Sequence, residues 1–255
     1  MISKFSRPFS ITKKILGQMD TNMYLLNFDT HCLIIDPADD ASSIINLISQ
    51  KCPKAKPYIF LTHGHYDHIL AVPDLCDHFK GITIFASQLD LPVFNDPFIN
   101  LSNEFCKSLS ITLEKYVKNM KFVKEGEQIS FNNNQFDIIG LAGHTPGSIG
   151  IHNKNQKCAF VGDTLMRESI GAVTFPLADD DLMMKNIREK LMVLDPDTKI
   201  YPGHGEVTTI GHEKKENVFI SGDEMNAEKK ITKLLSALSM SFLEPKNTDF
   251  LDHCV

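Results

Sequence analysis

Six cysteines stand at positions 32, 52, 76, 106, 158 and 254, and no two of them form a C-x-x-C pair. That absence argues against a thiolate zinc knuckle and against a disulfide ladder. Net basicity is also missing. The chain has 26 Lys and Arg against 32 Asp and Glu, a formal charge of −6, which disfavours a non-specific nucleic-acid or anionic-membrane binder. No apolar run approaches the roughly 18 residues that a spanning helix needs, so no membrane partner is expected. The opening segment MISKFSRPFSITKKILG has basic residues but no sustained apolar centre, a poor secretory signal. A reducing, cytoplasmic setting fits these features. Short-period repeats and low-complexity linkers are absent too. What remains is a folded chain of ordinary composition, 42% hydrophobic and 23% charged over 255 residues, long enough for one large domain with a small appendage.

Apolar runs of two kinds alternate along it. Strands are expected at 23–28 and 31–36, joined by a tight turn near Asp29 and Thr30, and again at 57–61 and 82–86. ASSIINLISQ (41–50) has helical spacing, with Ile44, Ile45, Leu47 and Ile48 on one side. Residues 87–121 read as irregular and partly helical, a candidate flap. Strands return at 128–131, 135–141, 148–152 and 157–162. An amphipathic helix with an acidic start spans 179–194, and a last strand spans 199–203. The alternation predicts a layered α/β fold. In the tail, Ile231, Leu234, Leu235 and Leu238 line one face of a helix at 223–243 that Pro245 stops. The expected division is a catalytic domain over 1–220 and a C-terminal helical extension over 221–255, packed on the body or on a second copy in a homodimer.

FLTHGHYDHILAV (60–72) stands apart, with His63, His65, Asp67 and His68 within six positions after an apolar strand. A strand would turn His68 away from the other three, and a helix would oppose His63 and His65. A loop at the strand end could gather all four, with Gly64 supplying backbone freedom. Several imidazoles side by side without a cation would repel on protonation and strand buried donors. His31, His78, His152, His212 and His253 lack such company and read as ordinary surface or hydrogen-bonded residues. Three further candidates repeat one pattern of apolar strand, glycine and ligand: His144 in GLAGHTPGSIG, Asp163 in AFVGDTLM and His204 in KIYPGHGEVT.

Taken in order, THGHYDH, GHTPGS, GDTL and YPGHG resemble the motifs of the metallo-β-lactamase superfamily, most closely its glyoxalase II-like (hydroxyacylglutathione hydrolase-like) members, over roughly residues 15–220. The resemblance implies a four-layer αββα sandwich with a binuclear metal site at one edge of the facing sheets. It implies that His63, His65 and His144 bind one metal, that Asp67, His68 and His204 bind a second, and that Asp163 bridges them. Five imidazoles and two carboxylates without a thiolate suit zinc and tolerate iron or manganese. Two divalent ions, two aspartates and one hydroxide leave a residual charge near +1, which attracts an anionic small-molecule substrate.

The resemblance implies a metal-dependent hydrolase, a thioesterase that cleaves a hydroxyacylglutathione-type thioester by a metal-bound hydroxide, with Asp67 also catalytic as its orienting group. A mononuclear iron persulfide dioxygenase, which shares much of the motif set, is the alternative. A phosphodiesterase or nuclease is disfavoured because neither a basic surface nor an RNA-gripping domain is visible. Departures from the glyoxalase II pattern fall outside the ligand set. Met166 stands where phenylalanine is usual, Ala172 where arginine is usual, and the chain reads DHILA rather than DHIGG. The tail, with Lys229, Lys230 and Lys233, is too short for a full glutathione-gripping domain.

Overall fold

The computed structural model describes residues 8–105 and 110–221. The first sheet runs β1 (Ser10–Leu16), β2 (Thr21–Asn27), β3 (His31–Ile35), β4 (Lys56–Phe60), β5 (Thr83–Ala86) and β6 (Met120–Phe122) in that spatial order. Helix α1 (Ala41–Lys51) connects β3 to β4. Helices α2 (Tyr66–Ile69) and α3 (Val72–His78) connect β4 to β5, and α4 (Leu91–Asn95) and α5 (Ser102–Phe105) lie between β5 and β6. The second sheet holds β7 (Gln128–Phe131), β8 (Asn134–Gly140), β9 (Ile149–Asn153), β10 (Cys158–Gly162), β13 (Lys199–Pro202) and β14 (Thr208–Thr209), with β7 at one edge and β14 at the other. A small hairpin, β11 (Leu165–Met166) with β12 (Ser169–Ile170), follows β10; α6 (Asp180–Asn186) precedes β13 and α7 (Ile210–Glu216) follows β14.

Period-two alternation explains the layers. On β2, Tyr24 and Leu26 face a cluster with Leu33, Ile35, Phe60, Phe136, Ile151 and Phe160, the core between the two sheets. Met23 and Leu25 face the other way, against Ile44 and Ile48 of α1 and Val72 and Leu75 of α3. The outer face of the second sheet packs Ala159, Val161 and Ile200 on Met183, Ile187, Leu191 and Ile210. Three apolar layers separate helix, sheet, sheet and helix, which is the expected αββα arrangement.

Four local expectations differ from what is observed. Strand β1 was not anticipated, because SITKKIL places Lys13 and Lys14 side by side and sits at a sheet edge with only Leu16 fully buried. The 87–121 segment ends in an edge strand, β6, which pairs in parallel with β5. The helix read over 179–194 is regular only to Asn186. It widens into a π turn at Ile187–Leu191 and then unwinds before Pro196, while Met183, Ile187 and Leu191 hold the same buried face. Beyond the expected last strand, β14 and α7 complete the sheet and its outer layer. The tail helix at 223–243, and the extension it defines, lie outside the described residues.

Candidate metal centre

Parallel pairing lines up the strand ends. β3 and β4 run in register, Ile35 opposite Phe60, and β10 pairs in parallel with β13. Their C-terminal ends therefore open at one rim of the sandwich. Backbone bonds stitch the two sheets together there: Asn22 N–H donates to the Gly203 carbonyl at 2.6 Å and Ile149 N–H to the Thr62 carbonyl at 2.9 Å. Thr21 and His204 form an isolated bridge between the sheets.

The rim gathers all seven residues singled out in the sequence. His63 and His65 lie on the loop after β4. Asp67 and His68 lie on α2, so the motif is half loop and half helix rather than loop throughout. Gly64 differs from expectation as well. Its need is close approach, not a left-handed backbone, because a Cβ there would meet Val93 Cγ1 at 2.8 Å and Phe94 Cδ1 at 3.0 Å. His144 follows β8, Asp163 follows β10 and His204 follows β13.

His65 Nδ1 lies 2.9 Å from His144 Nε2, and the His63 ring is 4.9 Å from both rings, centroid to centroid. Donor atoms of His63, His65 and His144 fall within 4.8 Å of one another, as do those of Asp67, His68 and His204. Asp163 lies between these groups. Its Oδ2 is 3.7 Å from His144 Nε2 and 3.3 Å from His204 Nε2, and its Oδ1 is 3.5 Å from His68 Nε2. A third triplet, Asp36, His63 and His68, is equally close. There, however, Asp36 Oδ1 accepts from Thr62 N–H at 2.8 Å and Oδ2 from Thr62 Oγ1 at 2.6 Å, with His68 Nδ1 3.0 Å away. Those contacts make Asp36 an orienting carboxylate.

The outward ring nitrogens are tethered: His63 Nδ1 to Thr62 Oγ1 at 3.0 Å, His144 Nδ1 to the Ala172 carbonyl at 2.7 Å, and His204 Nδ1 to the Met19 carbonyl at 3.0 Å. Imidazoles that hold a metal are usually fixed in this way through the second nitrogen. Facing inward, the buried His63 Nε2, His68 Nε2 and Asp163 Oδ1 have no hydrogen-bond partner. Unpartnered buried polar atoms are costly, and a divalent cation would satisfy them. The donor set fits one.

Protonation follows the same division. Burial, reinforced by the neighbouring imidazoles, holds His63 well below the ordinary histidine value and His65 down to about 3; His144 is lowered by burial against the pull of Asp163. Burial opposes charge on His68 and His204 too, yet Asp67 and Asp163 outweigh it and lift His204 to about 10 and His68 well above its usual range. For Asp67 and Asp163 burial works against ionisation, but His68 and His204 hold both carboxylates below the ordinary range. One group is therefore neutral imidazole and the other carboxylate paired with protonated imidazole, and a cation would displace protons from His68 and His204.

Sequence reasoning missed several contributors. Asp36 orients His68, Thr21 Oγ1 donates to Asp67 Oδ2 at 2.7 Å, and Asp90 is fully buried beside the His144 loop. A carboxylate at the end of a buried strand, ahead of the histidine motif, was the available signal for Asp36. Ala172, noted only as a departure, acts through its backbone carbonyl. Beside these seven residues opens a cleft of about 60 Å³ walled by Met19, Tyr66, Leu101, Phe105 and Phe175. Among the described residues, no helix is long and apolar enough to cross a membrane.

Two facing mixed sheets with histidine and aspartate clusters at their shared rim define a class of metal-dependent hydrolases. The chain belongs to the metallo-beta-lactamase superfamily, whose profile matches residues 16–204. It is 35% identical over 195 residues to hydroxyacylglutathione hydrolase GloC of Haemophilus influenzae, covering 76% of this chain and 89% of that protein. Its fold is similar to the crystal structure of BLEG-1 B3 metallo-beta-lactamase, with TM-score 0.75, 30% identity, and 84% and 100% of the two chains covered. It is also similar to TTHA1623 in a di-iron-bound form, with TM-score 0.69, 28% identity, and 82% and 99% covered.

Proposed function

We propose that this metallo-hydrolase cleaves a thioester of the hydroxyacylglutathione type, releasing a hydroxy acid and a thiol at the cost of one water. In this reading His63, His65 and His144 hold one divalent cation, Asp67, His68 and His204 hold a second, and Asp163 lies between them. The observation that carries it is that placement of Asp163, within 3.7 Å of His144 on one side and 3.3 Å of His204 on the other. The likeness to GloC supplies the substrate class. Bound cations would contribute Lewis acidity and a water acidic enough to ionise near neutral pH.

Asp67 is the catalytic side chain of this reading. The Thr21 hydroxyl occupies its Oδ2, which fixes the carboxylate to orient the attacking water. The apolar wall of Met19, Leu101, Phe105 and Phe175 accepts the acyl end and limits access of bulk water. A thiolate leaves without needing a separate general acid. Zinc suits this donor set, and iron is the other candidate, as the di-iron form of TTHA1623 illustrates for that protein. Cys32, Cys52, Cys76 and Cys158 are buried free thiols, in keeping with a reducing cytoplasmic setting.

The test is thiol release from S-D-lactoylglutathione by protein of measured metal content, run beside oxygen uptake on glutathione persulfide. Thiol release with two metal equivalents supports the reading. Oxygen uptake with a single iron would replace it with the persulfide dioxygenase.

A further inference from the structure

The short segment from Gln88 to Asn95 wedges between the two loops that carry His63, His65 and His144. Its Val93 and Phe94 press against Gly64, where no Cβ fits. Its Asp90 reaches the other loop: Oδ2 accepts from Thr145 Oγ1 at 2.9 Å and Oδ1 from the Gly147 N–H at 2.7 Å. Gly147 approaches so closely that a Cβ there would meet Asp90 N at 2.5 Å. Asp90 is fully buried, and among the described residues no cation forms an ion pair with it. Burying an unpaired carboxylate is expensive. The Asp90 contacts tie the residue after His144 to the segment whose Val93 and Phe94 pack on Gly64, between His63 and His65.

We propose that Asp90 is a positioning residue, a buried clamp that sets His63, His65 and His144 at the spacing one metal ion requires. It touches neither that ion nor the substrate. Its influence is confined to one of the two donor groups, because Asp67, His68 and His204 are held by other tethers, namely Thr21, Asp36 and the Met19 carbonyl. This inference rests on the two-cation reading above.

The experiment is competitive titration of zinc against a chromophoric chelator, using full-length wild type, Asp90→Ala and Asp90→Asn, with the melting temperature of each chelated protein recorded alongside. Orienting partners of metal ligands typically contribute 10- to 100-fold in affinity, so Asp90→Ala should weaken one zinc equivalent by about that factor and leave the other unchanged. Asp90→Asn keeps an acceptor for Gly147 N–H, and its amide can donate to Thr145 Oγ1 while that hydroxyl turns to Ser148. It should restore most of the lost affinity. A general packing defect would instead lower the melting temperature and weaken both equivalents together, which overturns the proposal, as does an unchanged titration. Where Asp90→Ala does not fold, a smaller loss confined to one equivalent in Asp90→Asn supports the clamp, and equal or no loss overturns it. Wild type that takes up a single zinc sinks the two-cation reading by itself. The clamp is then judged on whether Asp90→Ala weakens that one ion.

Discussion

Asp36 Oδ2 lies 3.0 Å from His68 Nδ1, and both side chains are buried. The same carboxylate takes two bonds from Thr62, the residue before His63. One aspartate at the end of β3 thereby sets the ring of His68 and the start of the histidine loop. Asp36→Ala is expected to cost 10- to 100-fold in affinity for the cation at Asp67, His68 and His204. Isothermal titration of zinc into the chelated variant checks this.

Asp67→Asn keeps the side-chain shape but removes the carboxylate charge that orients the attacking water. Misplacing a reactant can cost about 10²-fold, and a loss of that order is expected in kcat, measured on protein with quantified metal. Activity within a fewfold of wild type would remove the role assigned to Asp67.

Asp90 gives a pH signature. Burial, opposed by Thr145, Gly147 and Gly64, raises its carboxyl from 3.8 to about 6. A raised carboxyl means that the folded chain holds this proton more tightly than the unfolded chain. The stabilising effect is complete below the unfolded value and disappears as pH rises through the folded one. In chelator, wild type should therefore lose stability relative to Asp90→Asn between about pH 4 and 6, by up to about 3 kcal/mol. Urea unfolding across that range gives the difference, and parallel curves would contradict it.

Chelation should lower thermal stability, and zinc should restore it. A ligand that binds only the folded chain adds about 4 kcal/mol at a concentration a thousandfold above its Kd. The effect should weaken as pH falls below about 10, because His204 and His68 then hold protons that the cation must displace. Calorimetry with and without zinc measures both.

Much of this was legible beforehand. Period-two apolar runs marked β2, β3, β4, β8, β9 and β10 because one or both faces of each are buried. The convergence of the four histidine and aspartate motifs was legible because histidine, aspartate and glycine at strand ends have few other uses in such a pattern. Edge strands were not legible. β1 carries adjacent lysines, one on each face, because an edge strand leaves both sides partly exposed, and β6 is too short for a period. Nor were Asp36, Asp90 and Thr21, which act across 26 to 57 residues of sequence through a few hydrogen bonds each. A lone aspartate or threonine looks the same whether it lies on the surface or in a buried tether. The π turn after Asn186 was invisible because it preserves the apolar face.

Anomalous diffraction from a zinc-soaked crystal, recorded on both sides of the zinc edge, addresses the centre most directly. Two peaks are expected, one among His63, His65 and His144 and one among Asp67, His68 and His204, each within bonding distance of Asp163. A single peak, or peaks away from these seven side chains, would contradict the account.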